Sequence, residues 1–313
     1  MLLDLPSKFR KPNSEDAGFE IELACDWIEA SVLFSGESIS APTVADLLEE
    51  SQWFAGREEA RQFIDEVWSR LRSRQIEEGG KGPFNFTYQT IHSKVGGWTE
   101  TPAHAYCLLL SYARHHAEWA KKRPWNYNQQ GEIFELLTHQ ALVALFPTWK
   151  VFRTGWSSAT PAKLSRVVSE IASRLCGEVG NLKRWDKKEA KEQGLDILCY
   201  RQFNDSRGNF PAFFVQCASG QNFTKKLKEP DLLVWNDLVS LVPTSLARKA
   251  FATPFTFPKK QFEQHAIRSE GLLLDRGRLL SSATHLESWL ELKTAKQICK
   301  WAKTHIKNLP WTE

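Results

Sequence analysis

The chain predicts a mixed α/β domain preceded by a mostly helical one. Two observations carry this. From residue 15 to about residue 120 the apolar residues recur at helical spacing, and past residue 130 helical stretches alternate with short apolar runs of strand length. Lys121-Lys122-Arg123-Pro124, basic and broken by proline, separates the two patterns. The boundary therefore falls near residue 125, giving a helical domain over 1–125 and an α/β domain with C-terminal helices over 126–313. A chain of 313 residues is long for one core and comfortable for two.

In the first half, Phe19, Ile21, Leu23, Ala24, Trp27 and Ile28 form an apolar stripe in a segment opened by Ser14 and Glu15. Ser40 or Thr43 can cap a short helix through Val44-Ala45-Asp46-Leu47-Leu48. From Glu58 to Arg74, the residues Ala60, Phe63, Ile64, Val67, Trp68 and Leu71 share one side. Gly79-Gly80-Lys81-Gly82-Pro83 ends that helix. Phe84 to Tyr88 reads as a short strand, and Pro102 to Trp119 as another helix. Helices followed by a strand fit a winged-helix-like recognition or partner-binding module, and equally a plain helical bundle.

In the second half, Gly131 to Phe146 is strongly periodic, with Ile133, Phe134, Leu137, Ala141, Leu142 and Leu145 apolar, and Pro147 stops it. Trp149 to Arg153 reads as a strand, Pro161 to Cys176 as a helix, followed by a charged segment to Gln193. Two apolar runs come next, Gly194 to Tyr200 and Phe213 to Gln221, joined by a polar loop over Asn204 to Asn209. Asp231 to Leu241 is helical, Lys249 to Phe255 a further strand, and the tail returns to helix. Such alternation makes a mixed central sheet flanked by helices.

Composition narrows the class. With 42% apolar and 25% charged residues the chain has a globular make-up, and a net charge of +4 does not by itself announce a nucleic-acid binder. Lys183, Arg184, Lys187, Lys188 and Lys191 crowd one segment, which reads as a solvated helix face. Six scattered cysteines include no Cys-x-x-Cys pair, which argues against structural zinc and a disulfide framework. No signal-peptide stretch or bilayer-length run is present, so a reduced, cytoplasmic protein without a membrane partner is expected.

The two apolar runs carry the chemistry. Read as neighbouring strands, they bring Asp196 and Gln216 to one rim of a sheet. A carboxylate and an amide oxygen there suit a hard divalent cation. The order of elements, Gly131, Phe134 and Glu135 on the first helix, Gly194-Leu195-Asp196, and Val215-Gln216-Cys217 resemble the PD-(D/E)xK nuclease superfamily. That is the restriction-endonuclease-like fold, in its Mrr and Holliday-junction-resolvase-like branch. The likeness covers roughly residues 126 to 260 and does not reach the first half.

This resemblance implies a restriction-endonuclease-like mixed sheet and metal-dependent hydrolysis of DNA phosphodiesters, in a restriction or anti-phage setting. Asp196 becomes the chief ligand of Mg2+ or Mn2+, Gln216 adds a neutral oxygen, the Cys217 carbonyl joins, and Glu135 reaches the rim from the first helix. The family's lysine is replaced by Ala218. Lys225 or Lys226, just past the strand, can swing back to supply the charge, and Gln221 can position water. With no such rescue, the fold serves as a catalytically inactive DNA-binding or assembly subunit. The resemblance is compatible with a homodimer, and with other defence-system proteins docking on the N-terminal domain, since tryptophan is favoured at interfaces, though most tryptophans of this half belong to the core.

Weaker candidates are Glu132, on the same helix face as Glu135; His139, one turn beyond it; Asp186 and Glu192, ahead of the second strand; and His115-His116, which cannot both face one metal.

Overall fold

The computed structural model describes residues 1–6, 17–54, 56–121, 125–154, 163–185, 194–205, 207–241, 247–281 and 286–312. The chain forms two units, the first comprising 1–125, 254–258 and 276–313, the second 126–253 and 259–275. The second half of the chain was expected to keep its C-terminal helices. Instead 276–313 groups with the first unit, because Ile298, Trp301 and Ala302 bury an apolar face there, with the Trp301 ring 5.0 Å from that of Tyr106.

The first unit opens with α1 (Ala17–Ser35), followed by β1 (Ile39–Ser40), α2 (Ala41–Glu50), α3 (Arg57–Glu77), β2 (Phe84–Phe86), β3 (Thr90–Ser93), α4 (Pro102–His115) and α5 (Ala117–Lys121). Ser40 caps α2, its side chain accepting from the Thr43 backbone N–H at 3.3 Å. The three strands form an antiparallel sheet in the order β1-β3-β2. Helix α1 is buried on almost every side, and its carboxylates Glu22, Asp26 and Glu29 are as buried as its apolar residues.

The second unit holds α6 (Tyr127–Leu145), β4 (Lys150–Arg153), α7 (Leu164–Arg174), β5 (Glu178–Val179), α8 (Leu182–Trp185), β6 (Ile197–Tyr200), β7 (Ala212–Cys217), α9 (Leu232–Leu238), β8 (Val239–Ser240), β9 (Ala247–Ala252), α10 (Lys259–Ser269) and β10 (Gly271–Leu274). The chain closes in the first unit with α11 (Arg276–Leu280) and α12 (Leu292–Ile306). Five strands make one mixed sheet in the order β10-β9-β7-β6-β4. β4, β6 and β7 pair antiparallel, whereas β7, β9 and β10 run parallel.

Strand β10 falls inside a tail that reads as helix. Its Gly271 explains why: a Cβ there would meet the Lys249 carbonyl oxygen at 2.3 Å, so only glycine lets the two strands pair. The core on one face of the sheet joins Leu198, Tyr200, Ala212 and Phe214 to α7 and to Trp235 of α9. On the other face Phe213 stacks on Trp149 at 5.4 Å, and Phe146, which caps the C-terminal end of α6, lies beside both. No helix among the described residues is long and apolar enough to cross a membrane.

Candidate metal centre

Asp196 stands one residue ahead of β6, and its backbone continues the ladder: its N–H donates to Val215 O, and its carbonyl accepts from Thr154 N, both at 3.0 Å. β6 and β7 pair Ile197 with Val215, so Asp196 and Gln216 meet at the same sheet end. The Gln216 Nε2 donates to Asp196 Oδ2 at 2.6 Å, and the Cys217 N–H donates to the same oxygen at 2.6 Å. Both side chains are buried, at 5% and 2% exposure.

This joins the two residues through a hydrogen bond, with the amide nitrogen facing the carboxylate. The Cys217 carbonyl also accepts from Gln216 Nε2, at 2.9 Å. The amide oxygen, Gln216 Oε1, is turned away from Asp196 and has no hydrogen-bond partner among the described residues.

Glu135 approaches β7 from the α6 side. Successive strand side chains alternate across the sheet, so Gln216 shares a face with Phe214 while Cys217 points to the α6 side. There Glu135 lies 3.5 Å from Arg153 Nη2 of β4. The Cys217 thiol is pushed well above its usual pKa by burial, and further by the negative charges of Asp196 and Glu135. Asp196 and Glu135 thus flank the end of β7 from its two sides. Among the described residues no three His, Cys, Asp or Glu side chains gather as a metal-holding group.

The remaining candidates separate cleanly. Ala218 is buried, so no charge stands at the motif lysine position. Lys225 and Lys226 are exposed on a 3-10 turn, Phe223–Lys226, and Gln221 is exposed just before it. His139 packs on β4, its Nε2 3.4 Å from Val151 O, and Glu132 is half-buried on α6. In the first unit His115 packs edge-on against Phe19, and His116 lies against Tyr112. Asp186 and Glu192, with Lys187, Lys188 and Lys191, lie outside the described residues.

Two residues escaped the sequence reading. Lys249 on β9 pairs in register with Phe214, so it shares the face of Gln216, and it is the one lysine buried among the described residues. Its Nζ donates to Glu270 Oε2 at 2.8 Å and to Lys228 O at 3.4 Å. A lysine within an apolar strand was the available signal. Glu229 is the other, placed beside Gly194 and Gln216; nothing in its local sequence marks it.

A cavity of about 450 Å³ opens elsewhere in this unit, lined by residues that include Cys176, Arg207, Phe210, Ala212 and Ala247. It lies at the opposite end of β7 from Asp196 and so is no part of this centre.

No protein-family model matches the chain, and no curated protein matches it. Among solved structures, a crystal structure of protein VC1899 from Vibrio cholerae aligns with 90% of this chain at 14% identity and a TM-score of 0.21. The alignment spans 58% of that protein's length.

Proposed function

We propose that the second unit is a metal-dependent DNA endonuclease of restriction-endonuclease-like fold, serving restriction or anti-phage defence. The observation that carries the reading is the contact of Asp196 with Gln216 at the adjoining ends of β6 and β7. The order α6, β4, then β6 and β7 after an insertion of α7, β5 and α8, then α9, β8 and β9 supports it, as does the parallel entry of β9 beside β7.

The donor set suits Mg2+ or Mn2+. It offers a carboxylate and an amide oxygen, and the buried, unpartnered Gln216 Oε1 is the kind of atom a hard cation satisfies. Asp196 and Gln216 would hold the ion, with Glu135 joining from α6 as a ligand or through a water. Bound there, the ion supplies a Lewis acid for phosphate oxygens and lowers the pKa of a water. The chain's own residues orient the group: Thr154 and Cys217 fix the backbone and the carboxylate of Asp196. Lys249 brings a positive charge to the Gln216 face, where Ala218 brings none.

Incubation of plasmid DNA with the protein and Mg2+ tests this directly. Cleavage is expected from the wild type and none from Asp196→Ala, and equal degradation by both would remove the proposal. Ala218 favours a second reading, a DNA-binding subunit that does not cut. That reading expects a low-salt gel shift that weakens steeply as salt rises, with the plasmid left intact.

The first unit is read as winged-helix-like on the order α1-β1-α2-α3-β2-β3 and the sheet order β1-β3-β2. Its α3 exposes Glu58, Glu59, Asp65, Glu66 and Glu77 against Arg57, Arg61 and Arg72. A helix entering duplex DNA must neutralise phosphates, so this charge favours a protein partner over DNA.

A further inference from the structure

We propose that Glu229 is a ligand of the cation held by Asp196 and Gln216, an inference that rests on the metal-centre reading above. Gly194 has a φ of +71°, a conformation that favours glycine. A Cβ built on it would meet Glu229 Cβ at 2.7 Å, Gln216 Oε1 at 3.0 Å and Glu229 Oε2 at 3.1 Å. An amide oxygen and a carboxylate oxygen therefore converge on one small space, beside backbone that carries no side chain.

Neither an amide oxygen nor an ionised carboxylate can donate a hydrogen bond to the other. Gln216 is 2% exposed, and its Oε1 is without a hydrogen-bond partner among the described residues. Buried acceptors are seldom left so. Turning the amide over offers no relief: its nitrogen sits between two acceptors, Asp196 Oδ2 at 2.6 Å and Cys217 O at 2.9 Å. A flip would set oxygen against oxygen at both. Among the described residues no donor meets Gln216 Oε1, and a hard divalent cation takes carboxylate and amide oxygens at about 2.0–2.6 Å.

Glu229 is also held in place. Its N–H donates to Lys226 O at 2.9 Å, and the buried Lys249 Nζ lies 3.4 Å from the carbonyl of the preceding residue, Lys228. The residue is half-buried.

Calorimetric titration with Mn2+ alone, on the full chain and on Glu229→Gln and Asp196→Asn, tests the assignment, with a thermal melt of each variant as the check of folding. Wild type is expected to bind, Glu229→Gln to lose at least about tenfold in affinity, and Asp196→Asn to lose binding. If Asp196→Asn loses binding while Glu229→Gln keeps wild-type affinity, Glu229 is not a ligand and the centre at Asp196 stands. Wild type that takes up no Mn2+, or binding unchanged in both variants, overturns the centre and Glu229 together. Should Glu229→Gln fail to fold, Glu229→Asp, one methylene shorter, is expected to bind more weakly than wild type, and unchanged affinity there overturns the assignment equally.

Discussion

In the first unit Glu22, Asp26 and Glu29 descend one face of α1 and meet three arginines. Arg74 Nη1 reaches Asp26 Oδ1 at 2.8 Å and Glu29 Oε2 at 2.7 Å, and its Nη2 pairs with Glu22. Arg276 Nη2 reaches the same Asp26 and Glu29 oxygens at 2.7 and 3.0 Å, and Arg70 Nε reaches Glu22 at 2.5 Å. In the second unit a buried carboxylate meets an amide and a backbone N–H, and an acceptor oxygen is left over. Both clusters bury acidic groups; the first meets them with arginines, and the second leaves the Gln216 amide oxygen without a hydrogen-bond partner among the described residues. Burial would raise the Asp26 pKa, but Arg276 and Arg74 outweigh it and hold the carboxyl below its ordinary range. A network with every group partnered holds a fold together; a buried acceptor left over is where a ligand belongs.

The largest effect expected from this contrast is at Arg74. Replacing it with Ala leaves Glu22 to Arg70, and Asp26 and Glu29 to Arg276 alone, and should cost about 3–5 kcal/mol in urea unfolding. A loss under about 1 kcal/mol would erase the distinction between the clusters.

A second charged contact in the first unit sharpens it with pH. His104 Nδ1 lies 2.7 Å from Glu287 Oε1, and its Nε2 faces Glu78 at 3.9 Å. Burial works against a charged ring, but the bond to Glu287 and the nearness of Glu78 prevail and push its pKa up to about 9. A raised folded pKa stabilises fully below the unfolded value near 6.5 and loses that contribution as pH rises through about 9. Stability should fall by roughly 3 kcal/mol across that window, and His104→Gln should flatten the fall. An equal slope in the variant would assign the titration to another group.

The smallest effect is expected in the second unit. Asp196→Asn keeps an oxygen able to accept from Gln216 and Cys217, so stability should change by less than about 1 kcal/mol. A loss as large as that of Arg74→Ala would make Asp196 a structural residue.

Much of this was legible in the sequence. Apolar spacing located α3 and α6, and the two apolar runs ending in polar residues brought Asp196 beside Gln216. The contact of Glu135 with Arg153 across α6 and β4 was not legible there, since it depends on how the helix packs on the sheet. Other features had no local trace. Glu22, Asp26 and Glu29 recur at helical spacing like residues of a solvated face, and the arginine that meets two of them lies 250 and 247 positions further on. The direction of the Gln216 amide is set by two acceptors that only pairing of the strands creates. Glu229 arrives from a loop, where neither period nor motif applies.

The return of the chain has one more consequence. Residues 254–258 and 276–313 belong to the first unit, so the second is threaded into it as an insertion. Arg276, which steadies Asp26 and Glu29, is made only after the whole inserted unit. During synthesis α1 must therefore wait, its buried acids only partly countered by Arg70 and Arg74, until the whole inserted unit has emerged.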